Sequence, residues 1–149
     1  MKRIVVLFSA LLVGFLYIAP PLIIASHLRA LGQPFVLTYS VHRDELFYMG
    51  RAREIYDGHF PPSDLFFDEQ NPTPLNPIPS LIMATLLALA GGNANVAYLI
   101  AIFLFPAIIF LLFYWLGTKL FDSFAWAIFF AYVGVLTPIA LRILNFDGA

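Results

Sequence analysis

The 149-residue sequence is 61% hydrophobic and 17% aromatic but 11% charged, with a mean hydropathy of +0.86; a soluble domain carries roughly 25% charged residues. That balance describes an integral membrane protein and excludes an ordinary soluble globular domain. A formal net charge of −1 offers no electrostatic basis for nucleic-acid binding, and the absence of Cys rules out disulfides, thiolate metal centres and Cys nucleophiles.

In chain order, the first element is the uncharged run from Ile4 to Ser26, which exceeds the roughly 20 residues needed to cross a hydrocarbon core. Pro20-Pro21 is expected to bend or end its outer part. The run is too long for a signal peptide and lacks a small-x-small cleavage site, so an uncleaved anchor is expected. Lys2 and Arg3 place its N-terminus in the cytoplasm by the positive-inside tendency.

The segment 28–95 carries nearly all the polar chemistry and reads as one long outer loop. Within it, Asp44 and Glu45 open an amphipathic, interfacial helix of about 44–57. Tyr48, Ala52, Ile55 and Tyr56 recur at spacings of four, three and one and predict its apolar stripe. Asp44, Arg51 and Glu54 fall toward a shared flank. Gly58 is a left-handed C-terminal cap, and Pro61-Pro62 prevents the helix from resuming. Residues 64–79, with Asn71, Asn76 and four prolines, read as an irregular surface loop.

The apolar run Ile78 to Ala90, led in by Pro77 and Pro79 and stopped by Gly91-Gly92, is short for a span and predicts a second interfacial helix. Val96–Leu116 and Phe124–Leu141 are two further spans, containing Pro106 and Pro138, joined by a cytoplasmic turn over 117–123 that includes Lys119. The expected fold is an all-α membrane protein with three transmembrane helices and a long outer loop, a fragment of a larger multi-span fold. Four spans result if 78–90 also crosses, and Asp147 then changes sides.

Two readings of the acids compete. Asp44 and Glu45 suit the first turn of any surface helix, where the macrodipole favours negative charge by about 0.3–1 kcal/mol, and Arg51 and Arg53 suit headgroup contact by snorkelling. On that view the chain is a non-catalytic polytopic protein, a transporter fragment or an assembly subunit. The other view is chemical. A carboxylate can deprotonate an attacking hydroxyl, and a neighbouring acid and a low-dielectric interface raise its proton affinity. Arginine meets a departing phosphate with bidentate geometry. His27, His42 and His59 show no metal-ligand spacing, and no nucleotide-binding glycine motif is present.

The stretch Arg43-Asp44-Glu45, Tyr48, Arg51-Ala52-Arg53, Ile55 and Asp57-Gly58 resembles the first outer loop of class C glycosyltransferases. These polytopic enzymes include protein O-mannosyltransferases, aminoarabinose transferases of lipid A and oligosaccharyltransferase catalytic subunits. The order that follows is similar too: the entry at Pro77 and Pro79, the short helix to Gly91-Gly92, a long span, a turn around Lys119-Leu120-Phe121, a span with Pro138, then Arg142 and Asp147. Asn76-Pro77-Ile78-Pro79 stands where the family carries His-Pro-Pro-Leu.

The resemblance implies transfer of a sugar from a polyprenyl-phosphate donor to an acceptor hydroxyl on the outer face of the plasma (inner) membrane. It makes Asp44 the first acidic position, which orients and deprotonates the acceptor, Glu45 its neighbour, and Asp147 the acidic position of the second outer loop. Arg51, Arg53 and Arg142 become the phosphate-binding candidates. The lipid bilayer and the lipid-linked donor are the expected partners. A divalent metal is compatible with the oligosaccharyltransferase branch, but the adjacent Asp-Glu is more like the mannosyltransferase branch, so no metal or other cofactor is assigned.

Overall fold

The computed structural model describes residues 2–35, 43–63 and 75–145, with backbone alone over 43–47 and 138–145. These residues form five α-helices and no sheet: α1 (Lys2–Ala30), α2 (Arg43–Tyr56), α3 (Ile78–Leu89), α4 (Ala94–Leu120) and α5 (Phe124–Asn145). At 1.5 Å per residue, α1 and α4 measure about 43 and 40 Å, beyond the roughly 30 Å of a hydrocarbon core. Both are apolar and long enough to cross a membrane. The 12 residues of α3 reach only about 18 Å, so α3 is too short to span. The expected loop at 64–74, and Asp147, lie outside the described residues.

Several helices outrun their sequence-based bounds. α1 continues to Ala30 with Pro20 and Pro21 inside it, so this pair does not end the helix; an apolar helix can absorb a missing backbone donor when neighbouring groups re-satisfy the freed carbonyls. α4 begins at Ala94, because Asn93 caps it: the Asn93 Oδ1 accepts from the Val96 N–H at 3.2 Å, and its carbonyl accepts from Ala97 at 3.0 Å. At the other end α4 continues to Leu120, so the turn expected over 117–123 shrinks to residues 121–123. α5 continues through Pro138 and takes Arg142 into its last turns, where the sequence reading ends the span at Leu141.

The chain divides into two compact units, one over Met1–Leu22 and Ile102–Ala149 and the other over Ile23–Ala101. In the first, the described parts of α1, α4 and α5 pack as an up-down-up bundle. Phe15 of α1 meets Phe103 of α4 edge-on at 5.3 Å, and Tyr114 near the far end of α4 meets Phe124 at the start of α5 at 6.2 Å. Lys2 lies 5.6 Å from the Phe124 ring centroid, and Tyr17 bonds to Val135. α1 and α5 therefore run in one direction, with α4 antiparallel to both.

The core of this bundle is built from small side chains. Ala10, Ala107, Ala127 and Ala131 are buried with Val6, Val13, Phe110 and Val135, while Ile4 (71%), Phe8 (67%) and Trp115 (62%) face outward. At Gly14 a methyl group would stand 2.7 Å from the Phe103 carbonyl oxygen, and at Gly117 it would stand 3.0 Å from the Ala127 backbone. Small residues let the helix backbones approach closely.

In the second unit α2 packs on α3, and Leu86, Leu87, Ala97 and Ala101 form a separate apolar cluster. α3 starts as its prolines predict, with Pro77 at the N-cap, Pro79 in the first turn, and the Asn76 Oδ1 accepting from Ile78 N–H at 3.0 Å. α2 ends on Gly58 at φ 95°. There the His59 N–H reaches the Glu54 carbonyl at 2.9 Å, and the Gly58 N–H reaches Ile55 at 3.1 Å, the paired closure of a Schellman motif. α1 and α3 close in the same way, at Gly32 and at Gly91.

Candidate functional site

α2 is the helix on which the candidate chemistry sits. It opens at Arg43, so Asp44 and Glu45 occupy its first turn, where unbonded N–H groups favour negative charge. The side chains of both acids lie outside the described residues, as do that of Arg142 and the whole of Asp147.

The buried face of α2 differs from the expected stripe. Ala52 is fully buried, but Tyr48 and Tyr56 are 46% and 37% exposed, and the position that joins Ala52 in the interior is Arg51, with no exposed surface. The reason lies in the polar chain around α2: the Arg51 Nη2 donates to the Leu75 carbonyl at 3.3 Å, 24 residues on. A guanidinium offers five donors, so it can serve as a buried staple where an aliphatic residue would leave the carbonyl of a proline-rich segment unsatisfied.

Glu54, three residues on and on the same flank, holds another piece of chain. Its Oε2 accepts from the Ser63 N–H at 2.8 Å and its Oε1 from the Ser63 hydroxyl. The Glu54 side chain thus pins the residues after the helix, while its carbonyl closes the Schellman turn. The sequence reading placed Arg51 and Glu54 on a common flank, which agrees; it did not identify Ser63 or Leu75 as their partners. Ser63 follows Pro61-Pro62, and a serine just after a turn-forming proline pair facing a helix carboxylate was the available signal.

Arg53 points the opposite way. Its Nε donates to Asp57 Oδ2 at 2.8 Å, in an exposed i,i+4 ion pair, and the guanidinium also lies 5.1 Å from the Tyr56 ring centroid. The hydrogen bond that Arg53 donates to Asp57, and then the charge of that carboxylate, raise the Arg53 pKa above its usual value. Arg53, Tyr48, Tyr56, His59 and Phe60 are all exposed, and aromatic and cationic side chains suit the boundary between headgroups and acyl chains.

Of the six candidate residues, the structure therefore encloses Arg51, exposes Arg53 and puts Asp44 and Glu45 at the start of the same helix. Among the described residues no three of His, Asp and Glu cluster in a way that could hold a metal ion. Compared with known families, curated proteins and solved structures, the chain matches none.

Proposed function

We propose that this chain is part of a polytopic membrane glycosyltransferase of the class C type, moving a sugar from a polyprenyl-phosphate donor to an acceptor hydroxyl at the outer face of the plasma membrane. In this reading α1, α4 and α5 are three transmembrane helices, and α2 and α3 lie at the membrane surface. Asp44, assisted by Glu45, is the general base, and Asp147 is the second acid. Arg53 and Arg142 are the cations for the departing phosphate; Arg51, enclosed against Leu75, holds α2 in place.

The observation that carries the reading is the up-down-up order of the bundle. The chain leaves α1 after Ala30 and enters α4 at Ala94, and within the bundle the later part of α1 lies with the early part of α4 and the later part of α5, since Tyr17 meets Val135 and Phe15 meets Phe103. Such an order is what a site assembled from 44–45 and 147 requires, because both must leave the membrane on one side. The opposite end carries Lys2, Arg3 and Lys119, which supports a cytoplasmic assignment for it.

A second reading, a non-catalytic polytopic protein, is favoured by one specific observation. Arg51, Arg53, Glu54 and Asp57 all have protein partners, so α2 is a well-made surface helix without any substrate.

One experiment separates the two. Full-length protein in proteoliposomes is given labelled polyprenyl-phosphate hexose or pentose with a mixture of envelope glycolipids and hydroxyl-bearing peptides, and release of free polyprenyl phosphate is followed. Asp44→Asn is expected to lower turnover by about 10²–10⁴-fold, the usual contribution of a general base. Wild-type turnover in a variant that inserts and stays helical would remove Asp44 from the chemistry and leave the second reading.

A further inference from the structure

Residues 91–95, which join α3 to α4, are fixed from several sides. The Gly92 N–H donates to the Leu87 carbonyl at 2.8 Å and the Asn93 N–H to the Ala90 carbonyl at 3.2 Å, which ties the turn to the end of α3. Asn93 caps α4 with both its carbonyl and its side chain. Asn95, in the first turn of α4, donates from Nδ2 to the Phe35 carbonyl at 3.1 Å, 60 residues back in the chain. A turn held by both of its helices and by a distant segment has little slack of its own.

The last turn of α2 rests on this junction. A methyl group added at Gly92 would stand 3.1 Å from the Tyr56 Oη and 3.4 Å from two of its ring carbons, so the phenol lies against bare backbone. The ring is locked to its own helix: the Arg53 guanidinium, three residues earlier, lies 5.1 Å from its centroid and is bonded to Asp57 Oδ2 at 2.8 Å. Five residues before Tyr56, the fully buried Arg51 bonds the Leu75 carbonyl at 3.3 Å, beside the fully buried Ala52. The 14 residues of α2 therefore form a rod of about 21 Å, seated at Arg51 and stopped at Tyr56. From that seat Tyr56 lies about 7.5 Å one way and Asp44 about 10.5 Å the other. Tilting the rod moves Asp44 about 1.4 times as far as Tyr56, in the opposite direction.

We propose, resting on the glycosyltransferase reading above, that Gly92 is a positioning residue for sugar transfer: it receives the Tyr56 ring, sets the tilt of α2 and thereby fixes where Asp44 meets the acceptor hydroxyl. Gly92 itself touches no reacting atom. A side chain there must push the phenol back by about 0.5 Å to reach ordinary contact. Because the junction is held and the ring is locked to α2, the helix yields, and its other arm carries Asp44 by about 0.7 Å. Catalytic groups have to be held within about 0.5 Å of their productive place, and a displacement of about 1 Å costs about 10²-fold in rate. Arg53, two residues past the seat, moves by only about 0.2 Å, so donor binding is kept. The signature is a fall in kcat with the KM for the donor unchanged.

Gly91 supplies the control. Gly91 and Gly92 both have left-handed backbone, at φ 61° and 81°, but a methyl group at Gly91 meets nothing within 4 Å, and Asn visits that backbone readily. Full-length protein in proteoliposomes is given labelled polyprenyl-phosphate hexose with the acceptor mixture described above. Gly92→Asn is expected to lower kcat about tenfold relative to Gly91→Asn, at equal KM for the donor. Tyr56→Phe removes the oxygen at 3.1 Å and leaves the carbons at 3.4 Å. It should have little effect alone and should restore most of the kcat in the Gly92→Asn background. Equal kcat in the two Asn variants, or a loss that Tyr56→Phe does not relieve, overturns the proposal and leaves the glycosyltransferase reading standing on Asp44→Asn. If Gly92→Asn fails to insert, Tyr56→Ala decides, because it frees the same arm of α2 with no atom added at 92: a fall in kcat at constant KM supports the proposal, and wild-type kcat overturns it. Wild-type turnover in Asp44→Asn removes the proposal and the reading together.

Discussion

Tyr17 and Val135, 118 residues apart in sequence, are joined by a hydrogen bond of 2.6 Å from the phenol to the main-chain carbonyl. That bond ties α1 to α5 just before Pro138, whose missing N–H leaves the Gly134 carbonyl, one residue earlier, without its helical donor. Tyr17→Phe deletes the donor and keeps the ring. It is expected to destabilise the bundle by about 1 kcal/mol, near the upper range for polar contacts between membrane helices. Unfolding in mixed micelles of increasing denaturing detergent measures it, and an unchanged midpoint would show that the bond contributes nothing net.

Close approach at Gly14 makes a sharper prediction. A methyl group there would sit 2.7 Å from the Phe103 oxygen, and a backbone atom cannot move aside as a flexible side chain can. Gly14→Ala should therefore cost about 1–3 kcal/mol by overpacking, and Gly14→Val more. Ala at the outward-facing Leu12 should be nearly neutral in the same assay; equal effects at both positions would argue against the packing described.

Arg51 and Arg53 lie two residues apart and should respond oppositely to mutation. Arg51→Gln shortens a fully buried side chain that bonds the Leu75 carbonyl. A loss of about 2 kcal/mol is expected for a charged hydrogen bond of this kind, visible as faster proteolysis between α2 and α3. Arg53→Gln breaks only an exposed pair and should leave proteolysis unchanged. If the glycosyltransferase reading holds, it should raise the KM for the lipid-linked donor. The reverse pattern would exchange their roles.

The raised pKa of Arg53 has a defined sign. A cation whose folded pKa lies above its unfolded value adds stability that is present below the unfolded value and is lost only as pH rises through the folded one. Between pH 5 and pH 9 the guanidinium keeps its charge, so pH titration of detergent stability should show no step that Arg53→Gln removes. A step in that window abolished by the substitution would contradict the assignment.

Sidedness can be read by labelling. Cysteine introduced one at a time at Asp57 and at Asp147 should react with an impermeant maleimide from the same face of the membrane, and cysteine at Asp122 from the other. Labelling of positions 57 and 147 from opposite faces would sink the proposed site, because carboxylates separated by a hydrocarbon core of about 30 Å cannot share one substrate.

Much of the architecture was written in local chemistry. An apolar run long enough to cross a bilayer predicts a long helix, prolines at 77 and 79 predict the entry to α3, and Gly58 predicts the end of α2, each because one residue's backbone preferences decide the outcome. The extents of α1, α4 and α5 were less legible. Pro20, Pro21 and Pro138 weaken a helix locally, yet α1 and α5 run through them, and the Asn93 cap moves the start of α4 back from Val96. Apolarity by itself could not tell which faces pair, since lipid and protein interior reward the same side chains. Small residues at 14, 117 and 131 settle that only when set beside their partners. The fate of Arg51 was the least legible of all: an arginine on an amphipathic helix prefers water, and its bond to the Leu75 carbonyl, 24 residues away, exists only once the chain has folded. Sequence thus determined which segments are helical and broadly apolar. Tertiary structure decided direction, pairing and which charged groups are enclosed, because those depend on atoms brought close in space from distant parts of the chain.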